Sequence, residues 1–214
     1  MSSREQILSS VRSALGRTEG QAATPLPPPM LRVPLMDPKA LVDTFVENFE
    51  KLAGKSIVVR AAPDVVPALA PVLHGKRVVA SNTPYLDTCG VRPMPGIQTG
   101  FTDPGAWREA CTAADVGITS VDYALAQTGT FVMMASQENP RLASLLPLIH
   151  IAVIPRSRIV GNLDTLLGVL PAPAEQTSSM VLITGPSRTA DIEQILVRGV
   201  HGPGEVYAVI VEQD

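Results

Sequence analysis

The sequence predicts an α/β fold, a mixed, mostly parallel sheet flanked by helices on both faces. Three observations point there. Short runs of β-branched and aliphatic residues, among them Ile57-Val58-Val59, Val78-Val79-Ala80 and 149–154, alternate with helical stretches. That order builds a covered parallel sheet. The run Thr130-Phe131-Val132-Met133-Met134-Ala135 is apolar almost throughout, as a strand covered on both sides must be. The hairpin-like region 127–136 points to antiparallel pairing, and hence to a mixed sheet.

Taken in order, residues 2–16 fit one amphipathic helix, with Ile7, Leu8, Val11 and Leu15 at helical spacing and Ser2 or Ser3 as cap. Residues 17–36 are rich in proline and read as an extended linker. A helix on such a tether folds back, packs between subunits of a homo-oligomer, or docks on a partner. The globular domain then occupies 37–214. Asp37-Pro38 opens its first helix, which buries Leu41, Val42, Phe45, Phe49 and Leu52 and ends at Gly54. A strand at 57–59, a Pro-limited helix over 63–75 and a strand at 77–80 follow, and 81–103 reads as irregular. Asp103-Pro104 opens a helix to Ala114 with Trp107 inward, before a strand at 116–119. A short helix is expected over Tyr123–Gln127, then the turn Thr128-Gly129 and the apolar strand. Asn139-Pro140 is read as capping a helix that stops at Pro147; 149–154 is a strand, and Asn162 caps Leu163–Leu170. The last segment reads as a strand at 181–184, the break Gly185-Pro186, a helix capped by Thr189, a Gly-rich turn around His201, and a final strand at 205–211.

Composition narrows the function. A 45% hydrophobic content excludes disorder for most of the 214 residues, and no apolar run reaches the roughly 18–20 residues of a membrane span. The N-terminus is charged and amphipathic rather than a secretory leader, so a cytoplasmic protein is expected. Net charge is −3 with scattered basic residues, which argues against nucleic acid as a partner. The two cysteines, Cys89 and Cys111, are too few for an iron–sulfur cluster or a thiolate zinc site, and read as buried thiols. Walker, GxGxxG, HExxH and GxSxG patterns are all missing from the sequence.

Three stretches interrupt the apolar pattern with polar groups. In 117–130, Thr119, Ser120, Asp122 and Gln127 stand beside the amides of Thr128, Gly129 and Thr130, which can cradle an anion; the alternative is simple capping by Ser120 or Asp122. In 138–150, Arg141 falls in a first helical turn, where a cation is disfavoured, so a carboxylate or ligand partner is expected. His150, before a buried strand, is read as a core histidine rather than a base. In 185–204, Ser187, Arg188, Thr189, Asp191, Glu193 and His201 crowd two turns. The alternative there is an Arg188–Asp191 pair that fixes the loop, with His201 on a main-chain carbonyl.

Gly117-Ile118-Thr119, Gln127-Thr128-Gly129-Thr130, the run 141–147 with His150, the run 185–193, and Gly199-Val200-His201-Gly202-Pro203 together resemble the LUD-domain family over roughly residues 40–212. The resemblance implies a fold similar to the ribose-5-phosphate isomerase, glucosamine-phosphate deaminase and CoA-transferase superfamily. It also implies a role in oxidising L-lactate to pyruvate beside two iron–sulfur partner proteins. Many relatives carry Glu where this chain has Gln127, and glutamine cannot serve as a carboxylate nucleophile. On this reading the chain itself holds no cofactor, and the redox centres sit in the partners. Arg188 or Arg141 would hold the substrate carboxylate, and His201 or Asp191 would handle the hydroxyl proton; Ser187, Thr189, Thr119, Gln127, Thr128, Gly129 and Thr130 complete the expected site. Two rivals stand beside it: a free-standing protein or enzyme for a phosphosugar or acyl-CoA, and an assembly scaffold without chemistry.

Overall fold

The structure is a computed structural model that describes residues 2–18, 20–22, 25, 37–189 and 197–213. The chain divides into two compact units, 1–32 and 33–214. In the first, helix α1 (Ser3–Ala14) begins at a capping box: Ser2 accepts from the Glu5 amide while Glu5 accepts from the Ser2 amide. Most of the Pro-rich stretch lies outside the described residues.

The second unit opens with α2 (Pro38–Lys51), β1 (Lys55–Ala61), α3 (Val65–Leu73), β2 (Val78–Ala80), α4 (Pro84–Thr88), β3 (Ile97–Gln98) and α5 (Pro104–Ala113). β4 (Val116–Ser120), β5 (Tyr123–Leu125), β6 (Thr130–Met134), α6 (Leu142–Leu145), β7 (Ile149–Pro155) and β8 (Ile159–Val160) follow. α7 (Leu163–Val169), α8 (Pro173–Gln176), β9 (Met180–Ile183), β10 (Arg188–Thr189), β11 (Val197–Arg198) and β12 (Glu205–Gln213) complete it.

Among the described residues, β1-β12-β7-β4-β2-β3 form a parallel sheet and β8-β5-β6-β9 a second, mixed one, so the antiparallel pairing sits in a separate layer. The large sheet is buried on both faces, and the alternation along β12 shows it. Val209 and Val211 face α3 together with Ile118, Ile151 and Leu69. Ala208 and Ile210 face the opposite core with Phe45, Phe49 and Phe131. Those three rings lie 5.2–5.5 Å apart and lock α2 onto the second sheet.

Several boundaries follow local chemistry. Asp103 accepts from the Ala106 amide and Asn162 from the Thr165 amide, each capping its helix. The end of α2 is a Schellman turn: Gly54 N–H reaches the Phe49 carbonyl, Ala53 N–H reaches that of Glu50, and Ala53 takes the left-handed position at φ 66°. Gly54 is needed for a different reason, since a Cβ there would lie 2.3 Å from the Phe49 ring.

Other expectations are corrected. Tyr123–Leu125 is a strand, not a helix, because it pairs with both Thr130–Val132 and Ile159–Val160. Ser120 and Asp122 therefore cap no helix there; Asp122 instead accepts the Met134 amide at 2.7 Å. Asn139 does not cap the following helix, which starts at Leu142; its side-chain amide donates to the Ser120 carbonyl. The stretch 81–103 holds α4 and β3. Thr189 pairs with Val197 in a two-stranded ribbon, and the helix expected over 190–196 lies outside the described residues. Among the described residues, no helix is long and apolar enough to cross a membrane.

Candidate functional site

The third polar stretch gathers in one place because Ser187 is laced to the Gly-rich turn, and the second reaches that place from α6. Ser187 N–H donates to the Pro203 carbonyl, Gly199 N–H to the Ser187 carbonyl, and His201 N–H to Ser187 Oγ at 3.3 Å. Gly199 takes φ 80°, which lets the chain double back. Ser187 and His201 thereby reach one cleft of about 410 Å³, whose third polar side is Arg141 with Ser144, from the α6 segment. Val181, Leu182 and Ile183 of β9, with Leu145 and Pro203, supply its apolar wall. A few polar groups on an apolar wall is the usual make-up of a small-molecule site.

Among the described residues Arg141 has a neutral partner: its guanidinium donates to Ser179 Oγ at 3.1 Å. The carboxylate expected for it is not supplied among the described residues. Its carbonyl accepts the Ser144 hydroxyl at 3.0 Å, which pins the start of α6.

The 117–130 stretch contributes through a hydroxyl chain. Thr128 Oγ1 lies 2.7 Å from Thr130 Oγ1, which lies 3.0 Å from Thr184 Oγ1, a lining residue of the cleft. The rest of that stretch is turned to other work. A Cβ on Gly117 would stand 1.9 Å from the Ala143 carbonyl oxygen, so only glycine lets α6 pack on β4. A Cβ on Gly129 would lie 2.4 Å from the Phe49 nitrogen, and Gly129 N–H closes a turn on the Ala126 carbonyl. Gln127 is exposed; its main chain donates to Gly161 and accepts from the Asn48 side chain.

Thr119 and His150 form a buried pair, with Thr119 Oγ1 2.9 Å from His150 Nε2 and 3.7 Å from Met133 Sδ. Among the described residues, buried His150 Nδ1 has no partner. A stranded acceptor is more tolerable than a stranded N–H, so the proton belongs on Nε2 and the threonine hydroxyl points to the sulfur. Burial pushes the His150 imidazole down to about 3, which keeps it neutral.

Arg188 does not line the cleft. Its guanidinium donates to the Leu52 carbonyl just past α2, where a helix dipole favours a cation. Gly185, at φ 117°, brings the loop against the same carbonyl. Thr189 belongs to the ribbon, and Asp191 lies outside the described residues. Ser144, Ser179, Thr184 and Asn48 were not singled out in the sequence; only Ser144, three residues beyond Arg141, carried a local signal. Cys89 and Cys111 are buried, and burial raises each thiol to about 11, so neither is a thiolate at neutral pH. Among the described residues, no group of three His, Cys, Asp or Glu is placed to hold a metal.

Comparison with known proteins agrees with the sequence resemblance. A crystal structure of a DUF162 family protein from Deinococcus radiodurans superposes with a TM-score of 0.60 at 18% identity, covering 82% of this chain and 99% of that one, which establishes likeness of fold. Lactate utilization protein C of Halalkalibacterium halodurans is 30% identical over 98% of this chain and 97% of its own length. The protein of that name from an Exiguobacterium species is 36% identical over 69% of this chain and 66% of its own. The LUD domain model matches residues 42–211, and the chain belongs to the LUD-domain family.

Proposed function

We propose that this chain acts in lactate utilization as the subunit without iron–sulfur clusters, holding L-lactate while clusters in two partner proteins take its electrons. The observation that carries this reading is the meeting of Arg141, Ser187 and His201 in one cleft, with Arg141 bonded, among the described residues, to a neutral hydroxyl. Relatives named lactate utilization protein C support the substrate. Arg141 binds the carboxylate, Ser187 and Thr184 orient the molecule, and the His201 imidazole accepts the hydroxyl proton as two electrons and the second proton leave the substrate. On this reading the electron acceptor lies in the partners, which is supported by the two buried thiols in separate clusters, since they fall short of the ligand set of an iron–sulfur cluster.

The surroundings of the cleft suit an assembly. Leu145 and Leu182 in its wall, and Leu146, Leu148 and Val200 beside it in the chain, are all exposed between 41% and 68%. Apolar residues gathered at a polar site mark a surface that is covered in use.

The test is reconstitution with the two iron–sulfur proteins, read by lactate-dependent dye reduction. Arg141→Met should lower kcat/KM by roughly 100-fold through loss of a charge-assisted pair, and His201→Gln should lower kcat at unchanged KM. Equal rates with and without this chain would remove the reading. A ligand panel read by thermal shift distinguishes the phosphosugar or acyl-CoA alternative, which requires stabilisation by those ligands and none by lactate.

A further inference from the structure

The topology creates a second crevice. From the carboxyl end of β2 the chain turns outward through α4 to the edge strand β3, whereas from that of its neighbour β4 it turns the other way, toward β7. Open parallel sheets bind ligands where adjacent strand ends diverge in this manner. A cavity of about 250 Å³ lies there, lined by Thr83 and Tyr85 beyond β2, Ser120 and Asp122 at the end of β4, and Pro155 and Arg158 at the end of β7. It shares no lining residue with the Arg141 cleft, whose Leu145 and Pro203 walls lead into the amino ends of β7 and β12.

Its polar groups form a built set. Asp122 is half-buried and fixed by the Met134 amide at 2.7 Å. Arg158 reaches the same cavity from the turn after β7, with its guanidinium carbon 5.4 Å from the Tyr123 ring centre. Neither Asp122 nor Arg158 has a salt-bridge partner among the described residues. Burial holds the Asp122 carboxyl above its ordinary value, against the opposing pull of the Met134 amide and the Arg158 charge. Thr83 Oγ1 is held by Ser81 at 3.1 Å, and the Ser120 carbonyl is held by the Asn139 side chain at 2.9 Å. Asn139 stands behind the lining; it is only 4% exposed, and among the described residues its own Oδ1 has no donor.

We infer that this crevice is a second binding site that takes a short hydroxycarboxylate, its carboxylate on Arg158 and its hydroxyl donating to Asp122. The volume corresponds to about eight water molecules, which admits a compound of that size. A simple anion would satisfy Arg158 and leave Asp122 facing it; a neutral polyol would leave Arg158 unpaired. The hydroxycarboxylate answers both. The site stands independently of the lactate-oxidation reading, which rests on Arg141 at the other end of the sheet.

The experiment is an amide NMR titration of the full chain with L-lactate, with glycerate, with propionate (which lacks the hydroxyl) and with inorganic phosphate. L-lactate and glycerate should shift the Ser120, Val121, Asp122 and Arg158 amides, and propionate should bind there at least about tenfold more weakly. Arg158→Met, on an exposed side chain, and Asp122→Asn should each weaken those shifts about tenfold, while Arg141→Met leaves them in place. If Asp122→Asn fails to fold, Arg158→Met and the propionate comparison decide. Equal affinity for propionate, shifts with phosphate alone, shifts that survive Arg158→Met, or none with either hydroxy acid would each overturn the assignment. Loss of dye reduction in Arg141→Met with these shifts retained would show the two sites to be separate.

Discussion

The buried His150 should make stability depend on pH in a way that one substitution removes. The ring is wholly buried, its Nε2 is committed to Thr119, and burial pushes its pKa down to about 3. In the unfolded chain the imidazole returns to about 6.5. Between those values the unfolded chain binds a proton that the folded chain refuses, so stability declines as pH falls through this window. Integrated from about pH 7.5 to about pH 5, the loss is about 2 kcal/mol. The assay is urea unfolding at both pH values for the wild type and for His150→Gln. Glutamine is chosen because its terminal amide reaches the Nε2 position, so Thr119 keeps a partner while the titration disappears. Carboxylates and exposed histidines act on both proteins alike and cancel in the difference. The wild type should lose about 2 kcal/mol more than the variant on acidification. Equal losses would mean that the folded protein protonates His150 freely, and the buried neutral pair with Thr119 would be wrong.

Ala53→Gly should raise stability by about 0.5–1 kcal/mol in the same assay, because the left-handed φ of 66° strains alanine and not glycine. Gly117→Ala should cost about 3 kcal/mol or more, since the new methyl would stand 1.9 Å from the Ala143 oxygen; a folded variant of wild-type stability would show that α6 is free to move away. Phe131→Ala removes the ring that joins α2 to the second sheet and should cost about 3–5 kcal/mol by urea midpoint. Gln127→Glu should change stability by less than about 0.5 kcal/mol, because the side chain is exposed and the turn is held by its main chain. Lactate-dependent dye reduction in the reconstituted assembly should also be unchanged by it; a large gain would return the chemistry to position 127.

The order of strands and helices was legible because hydrophobic period and end signals are local, as at Asp103-Pro104 and Asn162. Where the structure departs, tertiary pairing overrides propensity. Tyr-Ala-Leu-Ala-Gln favours a helix by composition, yet strands on both sides claim Tyr123–Leu125. Asn139-Pro140 has the form of a cap, but a long-range carbonyl at Ser120 takes the amide. Gly129 reads as a site glycine in sequence and Gly117 as part of a family-like motif; their reason is close approach to Phe49 and Ala143, which no spacing reveals. The cleft was visible as residue types and invisible as a place, because the lacing of Ser187 to the turn at 199–203 positions His201 while Arg141 arrives separately from α6.

The two arginines of the family-like motifs show how local physics sorts such residues. Arg188 lies past the carboxyl end of α2, where main-chain carbonyls point outward, and it takes one of them, at Leu52. Its charge is answered by the fold, and the loop it fixes is the one that carries Ser187. Arg141 lies at the opposite kind of helix end, where a cation is repelled, and the fold offers it a neutral hydroxyl. A residue that breaks a local rule with no compensating partner is where function is to be sought. Arg158 stands beside Asp122 at the far end of β7 in the same condition, two opposite charges in one cavity and not joined in an ion pair. An anion with a hydroxyl group completes either place, which is why the two sites must be separated by substitution rather than by choice of ligand.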